Sequence, residues 1–203
     1  VYEKVYKFIL VLIIMFSKKA IYLDNAATTK TRPEVFRMIK KYLKKIYANP
    51  SSIHRSGLIA KGSLELAREQ IANILNCDSN EVIFTGSGTE SNNLAIRGIA
   101  KTLKNKGNHI ITTKIEHSSV LKTCEDLERQ GYKITYLDVD KYGVIDLKQL
   151  EKSITQKTIL VSIMYANNEI GTIQPIDKIV NIVKSRDIIL HIDAVQIVPY
   201  IKI

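Results

Sequence analysis

Glu81-Val82-Ile83-Phe84-Thr85-Gly86-Ser87-Gly88-Thr89-Glu90 decides the fold class of this chain. Its first five residues are dominated by β-branched and aromatic side chains, a strand signature, and they predict a strand over Glu81–Thr85. Small residues follow, and apolar periodicity then predicts a helix over Thr89–Lys104. A strand that feeds through a tight turn into a helix opens a crossover connection, the kind that joins parallel strands. The turn also carries chemistry. Small residues let a ligand approach the backbone, and the free N–H groups at a helix N-terminus, with the positive end of its dipole, suit a phosphate. The plain structural alternative is a turn capped by Thr89, with Ser91 nearby. A dinucleotide reading is weak: Gly86-x-Gly88-x-x-Ser91 is one glycine short of the fingerprint and lies well past the start of the domain, although Glu116 ends the next strand.

Outward from this unit the same alternation continues. Further strands are predicted over His109–Thr113, Tyr132–Leu137, Thr158–Met164 and Ile188–Asp193. Helices are predicted over Pro33–Lys45, Gly57–Leu75, Ser118–Gln130, Leu147–Ser153 and Pro175–Ser185. Strands alternating with helices give an α/β fold with a mainly parallel sheet and flanking helices. No internal repeat, low-complexity linker or domain boundary interrupts the pattern.

The composition is that of an ordinary globular protein: 203 residues, 45% hydrophobic and 25% charged, which excludes disorder and collagen-like repeats. The net charge of +10 comes mostly from Lys scattered along the chain, so it argues for a composition bias rather than a nucleic-acid surface. Two cysteines, Cys77 and Cys124, form no disulfide framework and no zinc motif, which suggests a reduced, cytoplasmic setting. No metal site is expected. The apolar run Phe8–Phe16 is far shorter than the roughly 20 residues of a membrane span. It resembles the core of a signal peptide, but Ser17-Lys18-Lys19-Ala20 lacks a cleavage site. The expectation is that Met15 is the true start, that residues 1–14 are absent from the mature protein, and that residues 1–20 are an extension ahead of a domain at 21–203.

In parallel sheets ligands sit beyond the carboxyl ends of the strands, so the turns there hold the candidate site. After His109–Thr113 comes Glu116-His117-Ser118-Ser119, where His117 is either a general acid/base or cofactor-stacking ring, or the first residue of a helix capped by Ser118. After Thr158–Met164 comes Tyr165-Ala166-Asn167-Asn168-Glu169-Ile170-Gly171, a turn or an amide that holds a polar ligand group. The last strand ends in Asp193 and runs on into Ala194-Val195-Gln196; Asp193 is either a helix cap or a carboxylate awaiting a positive charge such as a pyridinium. Together a phosphate seat, an imidazole, an amide and a carboxylate–amide pair match the needs of pyridoxal phosphate.

Phe84-Thr85-Gly86-Ser87-Gly88-Thr89-Glu90-Ser91-Asn92-Asn93, Glu116-His117, Asn167-Asn168-Glu169-Ile170-Gly171 and His191-Ile192-Asp193-Ala194-Val195-Gln196, with Tyr22-Leu23-Asp24-Asn25-Ala26-Ala27-Thr28-Thr29 and Asn49-Pro50-Ser51-Ser52-Ile53-His54, resemble segments of cysteine desulfurases, relatives of the class-V aminotransferases with the aspartate-aminotransferase type fold. The resemblance runs from about Ile21 to the end of the chain. It implies pyridoxal phosphate as cofactor and a large cofactor-binding domain. It further implies Gly88 and Thr89 as the phosphate-binding pair, and His117 as the residue that stacks on the ring and moves protons. Asn168 would lie near the phenolic oxygen and the substrate carboxylate, Asp193 would partner the ring nitrogen, and Gln196 would donate to the phenolic oxygen. The implied reaction converts L-cysteine to L-alanine in a homodimer and passes sulfur, as a persulfide, to an iron–sulfur scaffold or other acceptor, with no nucleic acid or membrane partner. A selenocysteine lyase, another class-V aminotransferase, and a truncated non-catalytic paralogue acting as a binding partner stay open.

One departure matters. In the family a later Ser-x-His-Lys segment supplies the Lys that binds the cofactor covalently, and a later loop supplies the sulfur-accepting Cys; this chain ends at Ile203, before both. Lys202 lies too close to Gln196 to substitute. Cys77 and Cys124 read as structural, since a reactive thiolate needs an activating environment. The 203-residue chain alone is expected not to desulfurate cysteine.

Overall fold

A computed structural model of the chain describes residues 21–198 and residue 200. The run Phe8–Phe16, the expected start at Met15 and Lys202 lie outside the described residues. The chain divides into two compact units, one ending at Lys40 and one beginning at Lys41. Helix α1 (Pro33–Lys44) starts at a proline, whose missing N–H costs nothing in a first turn, and carries Glu34 at its positive end and Lys41 and Lys44 at its negative end. Its apolar stripe, including Phe36, Ile39 and Leu43, is exposed, and no residue of the helix is buried.

Helix α2 (Arg55–Leu75) is capped by the His54 ring, whose Nδ1 accepts the Gly57 N–H, and ends at Asn76 in the left-handed conformation. A short 3-10 turn (Ser79–Glu81) follows. The strand predicted over Glu81–Thr85 is absent. This segment has no strand partner among the described residues, and the Val82 carbonyl accepts from the Arg68 guanidinium, whose carbon lies 5.0 Å from the centre of the Phe84 ring. Its β-branched side chains remain a strand signature, but propensity makes no strand without a backbone partner.

The other four predicted strands form within a residue of their expected bounds: β1 (His109–Thr113), β2 (Lys133–Leu137), β3 (Thr158–Met164) and β4 (Ile189–Asp193). They make one parallel sheet in the order β2-β1-β3-β4. Between them run α3 (Gly88–Thr102), α4 (Ser118–Arg129), α5 (Leu147–Ser153) and α6 (Ile176–Lys184). Both sheet faces are covered, so β1 and β3 are buried at every residue, as a parallel sheet requires. One core joins Ile96 and Ala100 of α3 with Val120, Cys124 and Leu127 of α4 over Ile110 and Leu160. The other joins Leu150 of α5 with Ile179 and Val183 of α6 over Ile111, Val161 and Ile163. The alternation of Ile110 with Ile111 and of Leu160 with Val161 assigns neighbouring residues to opposite layers. No helix among the described residues is long and apolar enough to cross a membrane.

Candidate functional site

The strand order reverses between β1 and β3: from β1 the chain winds to β2, and from β3 to β4 on the other side. Crevices form at such switch points, beyond the strands' carboxyl ends. Glu116 bridges β1 and β3 at this point. Only 5% exposed, it receives the Thr113 hydroxyl at 2.7 Å and the Met164 N–H at 2.9 Å on Oε1, which ties the turn after β1 to the last residue of β3. Oε2 is buried without a partner among the described residues. Burial, aided by the charge of Asp193 and opposed by the two hydrogen bonds, pushes its carboxyl up to about 7.

Asp193, buried at the end of β4, accepts the Val195 N–H at 3.2 Å on Oδ1 and the Asn92 amide at 2.8 Å on Oδ2. The same amide donates to Ser119 Oγ at 2.9 Å, and Ser119 Oγ lies 2.8 Å from His117 Nδ1. One hydrogen-bonded string thus links β4, α3 and the start of α4. The helical cap is His117 itself and not Ser118: its Nδ1 accepts the Ser119 N–H at 3.2 Å. His117 is exposed as a residue, and Nε2 has no partner among the described residues. His117 thus caps the helix through Nδ1 and leaves Nε2 free of hydrogen bonds among the described residues.

The turn ahead of α3 is held in shape from within. Ser87, not Thr89, is the cap, accepting the Glu90 N–H, while the Glu90 carboxylate accepts the Gly86 N–H at 2.7 Å. The N–H groups of Gly88 and Thr89 have no partner among the described residues. A Cβ on Gly88 would stand 3.1 Å from the Val195 side chain, so this turn and the one after Asp193 approach each other closely. Gln196 is exposed in that second turn. In the turn after β3, Asn167 is committed to the backbone: its amide donates to the Ile115 carbonyl at 3.0 Å and its oxygen accepts the N–H groups of Glu169 and Ile170. Asn168, half-buried, makes no such bond among the described residues.

The residues present fit pyridoxal phosphate. Two free N–H groups at a helix N-terminus suit a phosphate dianion, a buried carboxylate suits a protonated ring nitrogen, and an exposed imidazole lies on the string that leads to that carboxylate. Cys124 is buried in α4, where burial and the surrounding Glu residues push its thiol up to about 12. Such a thiol is no nucleophile. Sequence reading gave Asn92 and Ser119 no role. The signal was there: Asn92 sits one and two turns before Ile96 and Ala100, a polar residue on an apolar stripe.

The class-V aminotransferase family profile matches residues 21–203. The cysteine desulfurase IscS of Dictyoglomus turgidum is 51% identical over 186 residues, which are 92% of this chain and 47% of that protein. Among solved structures, a NifS-like protein superposes with a TM-score of 0.84 at 42% identity, over 87% of this chain and 49% of the other. SspA in complex with cysteine superposes with a TM-score of 0.82 at 39% identity, over 85% of this chain and 50% of the other. The chain spans about half the length of the relatives it matches.

Proposed function

This chain belongs to the class-V aminotransferase family, and on that premise we propose that it is the cofactor-binding part of a pyridoxal-phosphate-dependent cysteine desulfurase, with residues 21–203 as the incomplete large domain. The observation that carries this reading is the buried Asp193 carboxylate, set between the Val195 N–H and the Asn92 amide at the carboxyl edge of the sheet. Bound pyridoxal phosphate supplies an electron sink for substrate bonds at the α-carbon. The chain's own residues do the rest. Gly88 and Thr89 offer N–H donors to the phosphate, and Asp193 pairs with the ring nitrogen and keeps it protonated by Coulomb attraction. Gln196 donates to the phenolic oxygen, Asn168 binds near it and near the substrate carboxylate, and His117 stacks on the ring and presents Nε2 for proton movement.

The substrate is L-cysteine, the product L-alanine, and the sulfur leaves as a persulfide for an iron–sulfur or thio-cofactor acceptor; the working form is a cytoplasmic homodimer. SspA, one of the structural relatives, is in complex with cysteine. Neither Cys77 nor Cys124 takes the sulfur.

The test is alanine release from L-cysteine by the full-length protein, alongside titration with pyridoxal phosphate. Asp193→Asn is expected to lower turnover on the order of 100-fold, as loss of a buried charge partner worth about 3 kcal/mol would. Cofactor affinity should fall far less, because the phosphate contacts stay. Unchanged turnover with Asn at 193, or no cofactor binding by the wild type, would refute the reading.

A further inference from the structure

We propose that Asn92 and Ser119 are positioning residues that decide which ring nitrogen of His117 carries its proton, by relaying the acceptor character of Asp193 along a one-way hydrogen-bond string. The inference rests on the cofactor reading only for the role it gives His117; the string itself is in the protein.

The direction of every bond follows from elementary donor and acceptor counting. A carboxylate only accepts, so the Asn92 atom 2.8 Å from Asp193 Oδ2 is the amide nitrogen, and the orientation of that amide is settled. Its second proton points to Ser119 Oγ at 2.9 Å. A hydroxyl that accepts there has one proton left to give, and His117 Nδ1 lies 2.8 Å away to receive it. A second donor converges on the same nitrogen: the Ser119 backbone N–H, at 3.2 Å, which can only donate. Nδ1 is therefore bare, and neutral His117 carries its proton on Nε2.

The consequence falls on the side of the ring that faces out. With the string intact, Nε2 of neutral His117 is a hydrogen-bond donor toward the cofactor side and not a base. Proton uptake at Nε2 requires Nδ1 to have taken a proton first, and that requires the Ser119 hydroxyl to turn away and the cap of α4 to open. Asn92 and Ser119 are both buried and on different helices, α3 and α4, so the string has no bulk water to swap donors with. Asp193 thus governs two things: the partner of the cofactor ring and, through Asn92 and Ser119, the tautomer of the residue that stacks on it.

The experiment is a long-range ¹H–¹⁵N spectrum of the full-length protein, without cofactor, labelled in the histidine ring and recorded where the ring is neutral. The His117→Asn spectrum identifies the His117 signals. The wild type should show the pattern of a protonated Nε2 and a bare Nδ1. Ser119→Ala removes one donor and keeps the backbone one, so the tautomer ratio should fall about fivefold. Asn92→Asp replaces the donor by an acceptor and draws the Ser119 proton away from the ring, so the ratio should fall about tenfold or more. A wild-type ring protonated on Nδ1 would overturn the proposal, as would a ratio unmoved by Ser119→Ala; the latter decides the matter even if the Asp variant does not fold. Failure to bind pyridoxal phosphate would instead strike the functional reading and leave this ratio as stated.

Discussion

Glu116→Gln should make the protein more stable at pH 8 and leave it unchanged near pH 4. Burial moves the Glu116 carboxyl from an ordinary 4.5 up to about 7. The folded protein therefore keeps a proton that the unfolded chain releases between those two values. Stability linked to this group is fully present below pH 4.5, declines as pH rises, and is lost once pH passes 7. The gap of roughly two and a half pH units is worth about 3 kcal/mol at 1.36 kcal/mol per unit. No discount for solvent screening applies, because the side chain is only 5% exposed. Gln keeps an acceptor oxygen for the Thr113 hydroxyl and the Met164 N–H but never ionises. Part of the gain is offset, since those two bonds are stronger to a carboxylate than to an amide. The net expectation is a variant about 1–3 kcal/mol more stable than wild type at pH 8, with the difference vanishing toward pH 4.5. Urea unfolding of the full-length protein and its variant, at pH steps from 4.5 to 8.5, reads this as the difference between two stability curves, which cancels every other titrating group. Parallel curves, or a variant less stable at pH 8, would show that Glu116 is held as a carboxylate by its hydrogen bonds and that burial is not the stronger effect.

His109, at the opposite edge of the sheet, should make the fold sensitive to acid. Its Nδ1 lies 2.7 Å from the Thr158 hydroxyl and its Nε2 2.9 Å from that of Thr135, and burial, with Lys133 nearby, lowers its pKa below 6.5. The unfolded chain takes up a proton that the fold resists, so stability is intact above pH 6.5 and falls as pH drops below it. In His109→Gln the protection of the Ile110 amide against hydrogen exchange should lose that dependence, and an unaltered dependence would refute the assignment. The two cysteines should differ in reactivity: alkylation of the native protein followed by peptide mapping should label Cys77 and spare Cys124, whose thiol, raised from 9.0 to about 12, has a thiolate population about a thousandfold reduced. Equal labelling would refute it.

By itself the sequence determined the elements and the chemistry of the turns. Apolar periodicity placed α5 at Leu147–Ser153, because it records which side of a helix is buried, and a run of β-branched residues placed β3 at Thr158–Met164, a strand buried on both faces. The small residues from Gly86 to Gly88 and the polar ends of β1, β3 and β4 marked one edge of a parallel sheet, since in such a sheet all carboxyl ends lie together. Pairing was not legible. Glu81–Thr85 reads as a strand as clearly as His109–Thr113 does, yet among the described residues only the second has strand neighbours, because a strand is a property of two segments and local sequence describes one. Which nitrogen of His117 is free, and which of Asn167 and Asn168 is committed to a turn, were equally beyond it. Only the tertiary structure decided the string from Asp193 to His117. Strand order and register bring the end of β4 beside α3, and helix packing brings Asn92 beside Ser119; hydrogen bonds act over about 3 Å, a distance that chain separation says nothing about.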